Sequence, residues 1–422
     1  MSGVRREIAL FAGLGVLLVL VFLSQGAAYG VRMLAEASCY AILALGLTIQ
    51  WGYAGLFNAG IMGFVAVGGA VTMTLTYPSN PDFWNSEGPA GLAGVALWLI
   101  GAIALVVAVS RADRIGVPKG LRNALTAVVA GAAYLVVAAQ LDPVATLIEK
   151  EAGFIGGFGL PVWLGWAFGG VVAGLVAWFI GHICLGLRSD YLAIATLGIA
   201  EIIKAILKNS DWLTRGTLTV SPLDWPVPTP GDIGFVASRS AYLAVTAVMI
   251  VVIYILLQRA WHAPWGRMMR AIRDNEVSSA SMGKDVNRRR LEIFILGSVL
   301  MGIGGAALVS FSRIFDPSGF IPLNHTFLVW VMVILGGAGN NRGAIFGALL
   351  VYVIWTMSEP AALALFEVVR SIGESLFAWE APADLNSRAL QMRVFVIGLT
   401  ITLVLRYAPK GLLPEQPPKH ED

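Results

Sequence analysis

Residues 261–290 read WHAPWGRMMRAIRDNEVSSASMGKDVNRRR and form a long polar stretch between two strongly apolar ones. Met268, Met269, Ala271 and Ile272 recur among arginines at helical spacing, which predicts a short amphipathic helix. Basic residues outnumber acidic ones in this stretch: Arg267, Arg270, Arg273, Lys284, Arg288, Arg289 and Arg290 against Asp274, Glu276 and Asp285. Such a segment between membrane spans is typical of the cytoplasmic side. It therefore predicts that residues 261–290 are cytoplasmic, which sets the topology of the spans on either side. The alternative is a solvated linker whose charge only sets the orientation.

The composition is that of an integral membrane protein. Hydrophobic residues make up 57% of the 422 residues and charged residues 13%, about half of the roughly 25% found in soluble domains. So few charges cannot cover a surface that faces water. The apolar runs are about 20 residues long and do not alternate with polar positions, which predicts helices and not a β-barrel. Cys39 and Cys184 lie in or beside these runs and are interpreted as packing residues.

The apolar runs predict an all-α, polytopic transmembrane helix bundle of about 10–12 spans. With the N-terminus inside, 19 of the 29 Lys and Arg residues fall on the inner side and 8 on the outer side. This excess favours that topology over its inverse and predicts that both termini are cytoplasmic. The spans are expected near residues 8–25, 31–50, 55–76, 90–110, 123–140, 161–183, 190–208, 240–258, 291–311, 325–340, 343–360 and 390–405.

These spans divide the chain into an N-terminal bundle (1–258), a cytoplasmic segment (259–290), a C-terminal bundle (291–410) and a cytoplasmic tail (411–422). Among the outer connections, Ala361–Arg388 is predicted to form a partly amphipathic surface or re-entrant helix. The outer loops are large enough to receive a soluble partner. Their tryptophans are interpreted as anchors at the membrane interface: Trp212, Trp225 and Trp379.

Small residues recur at four-residue spacing, which lets helix backbones approach closely in a membrane. The pairs are Gly165 with Gly169, Gly170 with Gly174, Gly302 with Ala306, and Gly343 with Gly347. They predict a tightly packed bundle and do not identify a function.

Motifs for enzyme chemistry are not apparent. The four histidines have no neighbouring ligands at metal spacing. The glycine-rich run Leu335–Gly343 lacks the GK[ST] ending of a phosphate-binding loop, and Arg342 stands where a dinucleotide fingerprint needs its third glycine. We interpret this run as a tight turn between two spans, so no cofactor is expected to bind directly.

Polar residues within spans are candidates for a transport path, because each is costly in hydrocarbon. Gln50, Asn58, Thr196 and Glu201 are the candidates here. Glu201 and Lys204 lie three residues apart on one predicted helix and can neutralise each other, which leaves a structural role equally open. No acid or histidine relay of the proton-coupled kind is visible, so a transporter of this sequence would take its energy from elsewhere.

Five stretches, in order along the chain, resemble the permeases of branched-chain amino-acid (LIV-type) ABC importers. They are Trp51–Gly55 with Leu56–Ala70, Leu187–Gly198 with Glu201–Lys204, Trp265–Glu276 with Met282 and Gly283, Leu335–Gly339 with Gly343, and Pro409–Leu413. No single stretch would identify the family, but the five together cover most of the chain.

Two departures from the family pattern stand out. The family continues the first motif with a Leu-Ser-Leu-Gly-His-like run, whereas this chain has Leu56-Phe-Asn-Ala-Gly60, so Asn58 and its neighbours are expected to bear on selectivity. The interval between Ala70 and Leu187 is longer than in the family by enough for two spans. We place this extra pair near 90–140, where an even number of spans leaves the downstream topology unchanged.

The resemblance implies a transport subunit, and not an enzyme, in a bacterial inner membrane. It implies a second permease subunit, two cytoplasmic ATPases that use ATP, and a periplasmic substrate-binding protein as partners, with membrane lipid around the chain and no nucleic acid. The residues implied in coupling to the ATPases are Arg267, Arg270, Arg273, Glu276 and Gly283.

Two other functions remain open at this point. A urea or short-amide importer shares the early and late motifs, although the Asp190–Gly198 run favours the amino-acid branch. A stand-alone channel or secondary carrier would make the polar segment a plain linker.

Overall fold

The computed structural model describes residues 3–111, 118–377 and 385–415, and these fold as a bundle of α-helices. Two isolated β-bridges, Ser79 with Gly156 and Val220 with Phe315, are the β pairing found in this part of the chain. The helices are α1 (Gly3–Gln25), α2 (Ala27–Leu47), α3 (Ile61–Thr76), α4 (Pro81–Trp84), α5 (Gly88–Ser110), α6 (Lys119–Glu151), α7 (Val162–Cys184), α8 (Ser189–Asn209), α9 (Asp211–Thr214), α10 (Pro230–Ile233), α11 (Phe235–His262), α12 (Pro264–Asp274), α13 (Glu276–Ser281), α14 (Val286–Ser312), α15 (Pro322–Gly336), α16 (Asn341–Phe377) and α17 (Leu385–Tyr407).

Each predicted span corresponds to one helix, which confirms the prediction of an all-α, polytopic bundle. Within the described residues, eight helices are long and apolar enough to cross a membrane: α1, α2 with its extension to Tyr53, α5, α6, α7, α11, α14 and α16. Helices α3 and α15 are apolar but shorter. That both termini are cytoplasmic stays a prediction.

The helix boundaries differ from the predictions in three places. The span expected at 55–76 becomes helical only at Ile61, because Gly55–Gly60 is irregular. Helix α6 continues to Glu151, well past the expected end near 140. The surface helix expected from Ala361 is instead the continuation of α16, which runs unbroken through Pro360 to Phe377. Trp379 lies outside the described residues.

Helix α14 forms the centre of the bundle and packs against α2, α3 and α7. Glycines allow this approach: a Cβ on Gly68 of α3 would overlap the carbonyl of Gly302 on α14, and one on Gly46 would lie 2.8 Å from the Gly297 carbonyl oxygen. The predicted small pairs behave in the same way, since Gly169 packs against Gly68 and Gly347 against the carbonyl of Met332. The prediction of close backbone packing is confirmed, and the two predicted bundles share one core.

Helices α5 and α6, the predicted extra pair, pack mainly against each other. Gly88 and Ile148 are the only fully buried residues of the two helices. Much of their remaining surface is apolar, as in Leu97 and Tyr134, which are 71% and 72% exposed. The pair therefore stands at the edge of the bundle, where its apolar surface suits a lipid environment.

Three smaller predictions concern the two cysteines and one tryptophan. Cys39 and Cys184 are free and buried, as expected of packing residues. Trp225 is not an interfacial anchor, because its ring is buried between Tyr242 and Phe311 with centroids 5.5 and 6.2 Å away.

Candidate coupling and translocation site

Helix α2 loses regular geometry just before the first sequence motif. Thr48–Tyr53 forms a π-helical turn, a form that is rare and frequent at functional sites. The Leu56 N–H then donates to the Gln50 carbonyl at 2.9 Å, and Gly55 takes a left-handed φ of 67° that suits glycine. The chain continues without helical structure to Gly60, beside the middle of α8.

A network of buried amides holds this irregular segment in place, and we call it the Gln50–Asn58 network. Asn58 Nδ2 donates to Gln50 Oε1 at 2.8 Å, while Gln50 Nε2 donates to the Phe294 carbonyl at 2.9 Å and to Ser298 Oγ at 3.2 Å. The Gly60 N–H donates to Asn58 Oδ1 at 2.8 Å. Both amide side chains are fully buried, so each hydrogen bond replaces one that water would otherwise supply.

Two further contacts tie the network to α8 and α15. The Ala59 N–H donates to Thr196 Oγ1 at 3.1 Å, and Trp330 Nε1 donates to the Asn58 carbonyl at 3.0 Å. Phe57, beside them, stacks on the Trp330 ring at 4.2 Å between centroids. Three of the four predicted path residues, Gln50, Asn58 and Thr196, therefore meet in one closed network.

The fourth predicted path residue, Glu201, lies elsewhere. It stands on the outer face of α8, with its side chain 55% exposed and its carboxylate 4.0 Å from the ammonium of Lys204. Five residues separate it from Thr196, which turns the two side chains to different faces of the helix.

The polar stretch at 261–290 forms two short helices and not one. Helix α12 ends at Asp274, and Asn275 caps α13 by accepting a hydrogen bond from the Ser278 N–H at 2.9 Å. Met269 and Ile272 face the bundle and are buried, as the amphipathic pattern predicts. The two helices project at one end of the bundle, which we call the α12 end.

Arg273 connects α12 to the rest of the bundle. Its guanidinium Nη1 donates both to the carbonyl of Gly52, within the π-helical turn, and to Glu415 Oε2. Its Nε donates to Asp274 Oδ1 at 3.1 Å. Half-burial is the largest single influence and lowers the pKa of Arg273, but Glu415 and Asp274 together raise it above its ordinary value, so this guanidinium stays charged.

A second connection runs through aromatic rings. The Arg270 guanidinium lies over the Trp261 ring at 4.3 Å, and Trp261 packs on Tyr53 with centroids 4.4 Å apart. The Tyr53 hydroxyl donates to Asn341 Oδ1 at 3.0 Å, at the start of α16. Arg270 and Arg273 thus both contact the π-helical turn, directly or through one ring.

The remaining predicted coupling residues do not contact that turn. Arg267 donates to the His262 carbonyl at 3.1 Å. Glu276 pairs with Arg290 at 2.8 Å, which joins α13 to α14. Gly283 takes a left-handed φ of 76° in the turn between α13 and α14, with open space around its Cα.

Glu415 and the two asparagines of the glycine-rich run were not among the predicted site residues. The segment after α17 lies along the turn between α15 and α16: the Leu413 N–H donates to the Gly336 carbonyl at 2.9 Å, and Asn340 Nδ2 donates to the Leu413 carbonyl at 3.0 Å. This confirms the interpretation of the glycine-rich run as a turn between spans. The Pro409–Leu413 motif marks this segment in the sequence, but nothing in it singles out Glu415.

A cleft of about 1030 Å³ opens at the α12 end, between α12 and the segment after α17. Its charged lining residues are mostly basic: Arg267, Arg270, Arg273 and Lys410 against Asp274 and Glu415. Within the described part of the chain, no group of three or more His, Cys, Asp or Glu side chains is placed to hold a metal ion. The arrangement is suited to transmitting a movement of α12 into α2.

Comparison with known proteins identifies the family. The family described as branched-chain amino acid transport system, permease component, matches residues 30–405. The chain belongs to this family. The match takes in the Gln50–Asn58 network, α12 and α13 together, which confirms the predicted class: a permease subunit of the branched-chain amino-acid ABC importer type and a multi-pass membrane protein.

Individual relatives are distant in sequence. The chain is 24% identical to a probable branched-chain amino acid transport permease protein LivM of Methanocaldococcus jannaschii, over 58% of this chain and 68% of the relative. It is 25% identical to the high-affinity branched-chain amino acid transport system permease protein LivM of Escherichia coli, over 62% of this chain and 60% of the relative. The chain thus spans about two thirds or less of these relatives. No solved structure matches it significantly.

Proposed function

We propose that this permease is one of two membrane subunits of an ABC importer that carries branched-chain or other apolar amino acids across a bacterial inner membrane. Two cytoplasmic ATPases would bind at the α12 end and hydrolyse ATP, and a periplasmic protein would deliver the substrate to the opposite end. The permease itself would act as a transport subunit and bind no nucleotide. The names of the two relatives, both branched-chain amino acid permeases, support this choice of substrate.

The main observation that supports this proposal is the contact of Arg273 with the Gly52 carbonyl. Helices α12 and α13 lie at one end of the bundle, and their exposed residues include Arg267 and Val277. A partner that moves α12 would also move Gly52, two residues after Gln50. A linker that only set the orientation of the protein would need no such contact.

The mechanism follows from what a shift of Gly52 does to the buried network. Gln50 binds Asn58 on one side and the Phe294 carbonyl of α14 on the other. If the π-helical turn moves, these bonds must be exchanged for others, because a buried amide without partners costs about 1–3 kcal/mol. The network would therefore hold one conformation until ATP-driven movement of α12 supplies the energy to leave it.

The experiment is purification of the tagged protein from mild detergent, with the partner masses and the ATPase activity measured in the eluate. Uptake of labelled leucine into vesicles made from the same cells gives the transport readout. We expect two ATPases, a second permease and vanadate-sensitive hydrolysis, together with leucine uptake that requires ATP. Recovery of a lone, ATPase-free protein that still transports would overturn the proposal in favour of a self-sufficient carrier.

A further inference from the structure

The cleft at the α12 end has two walls of different chemistry. One wall carries charged residues of α12 and of the segment after α17, where four cations stand against two carboxylates. The other wall is apolar and includes Ile334 of α15 and Leu405 of α17. The volume of about 1030 Å³ is at the upper end of the range for small-molecule sites. Such a cleft suits an amphiphile that carries a negative charge.

Both carboxylates of the cleft pair with the same cation. Arg273 lies 2.9 Å from Glu415 and 3.1 Å from Asp274. The other cations of the lining pair with no carboxylate in the part of the chain that the structure describes: Arg267, Arg270 and Lys410. The cleft therefore has an excess of positive charge that these residues do not compensate.

Arg270 is fixed in position without an anionic partner. Its guanidinium lies over the Trp261 ring at 4.3 Å, and among the described residues its N–H groups find no acceptor. A guanidinium presents these groups in a planar fork that matches a phosphate. Lys410 is exposed and adds a second cation from the segment after α17. An anion bound by both would contact α12 and that segment at once.

The end of α17 places the cleft at the level where a span leaves the hydrocarbon. Helix α17 has 23 residues, or about 35 Å, enough to cross the roughly 30 Å hydrocarbon core. Arg406 and Tyr407 end the helix and are exposed, and Lys410 follows three residues later. Basic and aromatic residues at the end of a span lie among the lipid head groups. The charged wall of the cleft is therefore beside the head-group region.

An apolar stripe on α17 leads to the cleft from the side of the membrane. Val394, Gly398 and Leu405 are four and seven residues apart, which places them along one side of the helix. All three are exposed, Val394 by 62% and Leu405 by 50%. No atom lies within 4 Å of where a Cβ on Gly398 would stand, so the stripe is open at its middle. An acyl chain along these three residues, which we call the α17 stripe, would reach the cleft at Leu405.

We propose that the cleft binds an anionic phospholipid of the leaflet at the α12 end, with its phosphate on Arg270 and Lys410 and an acyl chain along the α17 stripe. Basic pockets between spans on the cytoplasmic side are suited to such head groups. A zwitterionic lipid has the same phosphate but adds a cation, which the excess positive charge of the cleft disfavours. This inference rests on the proposed function, because it takes the α12 end as cytoplasmic.

The lipid would regulate coupling, since it joins the same two elements as the ion pair of Arg273 and Glu415. With the phosphate bound, α12 and the segment after α17 are connected at a second point beside the contact of Arg273 with Gly52. A movement of α12 then passes more completely into the π-helical turn. We therefore expect more substrate carried per ATP hydrolysed in membranes that contain anionic lipid.

The test titrates phosphatidylglycerol into the purified, delipidated transporter and measures bound lipid by native mass spectrometry. We expect the dissociation constant to rise about 30-fold when both cations are removed, in Arg270→Gln with Lys410→Gln. Arg111→Gln is the matched control, because Arg111 is exposed at the end of α5 and does not line the cleft. Equal affinity of the double variant and wild type would overturn the inference, as would equal binding of phosphatidylcholine.

Two further arms cover the source of the phosphate and the folding of the variant. If free glycerol 3-phosphate binds as tightly as phosphatidylglycerol, the site takes a soluble phosphate and the lipid assignment is wrong. Arg270→Lys keeps the charge and should retain most of the affinity, even if the double variant unfolds. Loss of binding in Arg270→Lys at an unchanged melting temperature would show that the charge is not what the lipid recognises.

The functional readout compares vesicles of phosphatidylcholine with vesicles that also contain phosphatidylglycerol. We expect leucine uptake per ATP hydrolysed to rise with phosphatidylglycerol for wild type and Arg111→Gln, and to stay flat for the double variant. An active complex that is indifferent to phosphatidylglycerol contradicts the lipid site alone. Failure to recover ATPases or leucine uptake in any lipid contradicts the proposed function first.

Discussion

Arg273 and Glu415 form a two-contact ion pair, with Nη1 2.9 Å from Oε2 and Nη2 3.3 Å from Oε1. The two residues are 142 positions apart in the chain, and Arg273 also contacts the Gly52 carbonyl. The segment after α17, helix α12 and the end of α2 are therefore held together at one point. If ATPases act on α12, this is where their movement enters the bundle.

Glu415→Gln should weaken this connection. Both side chains are about one quarter exposed, and a hydrogen bond to a charged group in such a place contributes about 1.5–3 kcal/mol. We expect a lower melting temperature in detergent and less substrate carried per ATP hydrolysed. Asp274→Asn is the control: Asp274 also pairs with Arg273 but is 69% exposed, so its loss should cost less than about 1 kcal/mol. Equal effects of the two substitutions would contradict a special role for Glu415.

Asn58→Leu should disturb the Gln50–Asn58 network. The change leaves Gln50 Oε1 and the Gly60 N–H without these partners, at about 1–3 kcal/mol for each buried group. We expect a lower unfolding midpoint and an altered rate or substrate preference in uptake. Asn58→Asp retains the acceptor for Gly60 but sets a carboxylate oxygen against Gln50 Oε1 in a buried site, so it should lower the unfolding midpoint as well. Unaltered transport of every substrate by the Leu variant would show that Asn58 only packs.

Gly68→Ala should destabilise the bundle at its centre. The new methyl group would overlap the Gly302 carbonyl on α14, and overpacking of this kind costs about 1–3 kcal/mol. Gly101→Ala on α5 is the matched control, because nothing lies within 4 Å of its Cβ position. Thermal unfolding in detergent should separate the two variants, with Gly101→Ala close to wild type. A stable Gly68→Ala protein would mean that α3 and α14 can move apart.

Gly283→Val and Glu276→Lys test the turn around α13. Gly283 has a left-handed φ, which costs other residues about 1–2 kcal/mol, and Glu276→Lys places a cation against Arg290. We expect reduced ATPase co-purification and reduced leucine uptake with the bundle still folded. Gly186→Ala, in an open position without a left-handed φ, is the control. Normal uptake and normal ATPase association in both variants would contradict the coupling proposal.

The sequence was sufficient for the long helices and for the family. Span length and hydropathy are local properties, so each of the long helices was predicted near its place, including the extra pair α5 and α6. The amphipathic pattern of Met269 and Ile272 likewise predicted which side of α12 is buried. The ordered motifs placed the chain among the branched-chain amino-acid permeases.

The tertiary structure alone decided which polar residues meet. Gln50, Asn58 and Thr196 lie in two helices and a loop, and only the folding of the irregular segment Gly55–Gly60 onto α8 brings them together. Hydropathy cannot foresee this, since a π-helical turn followed by non-helical backbone depends on contacts with α14 and α15.

Sequence reasoning also missed the partner of Glu415 and the direction in which Glu201 faces. The sequence determined that both are charged, and predicted that Glu201 lies within a span. Only packing decided that Glu415 reaches Arg273 across 142 positions, and that Glu201 turns away from the buried network. The physical reason is that helix formation follows from neighbours along the chain, whereas the partner and the exposure of a side chain depend on distant segments.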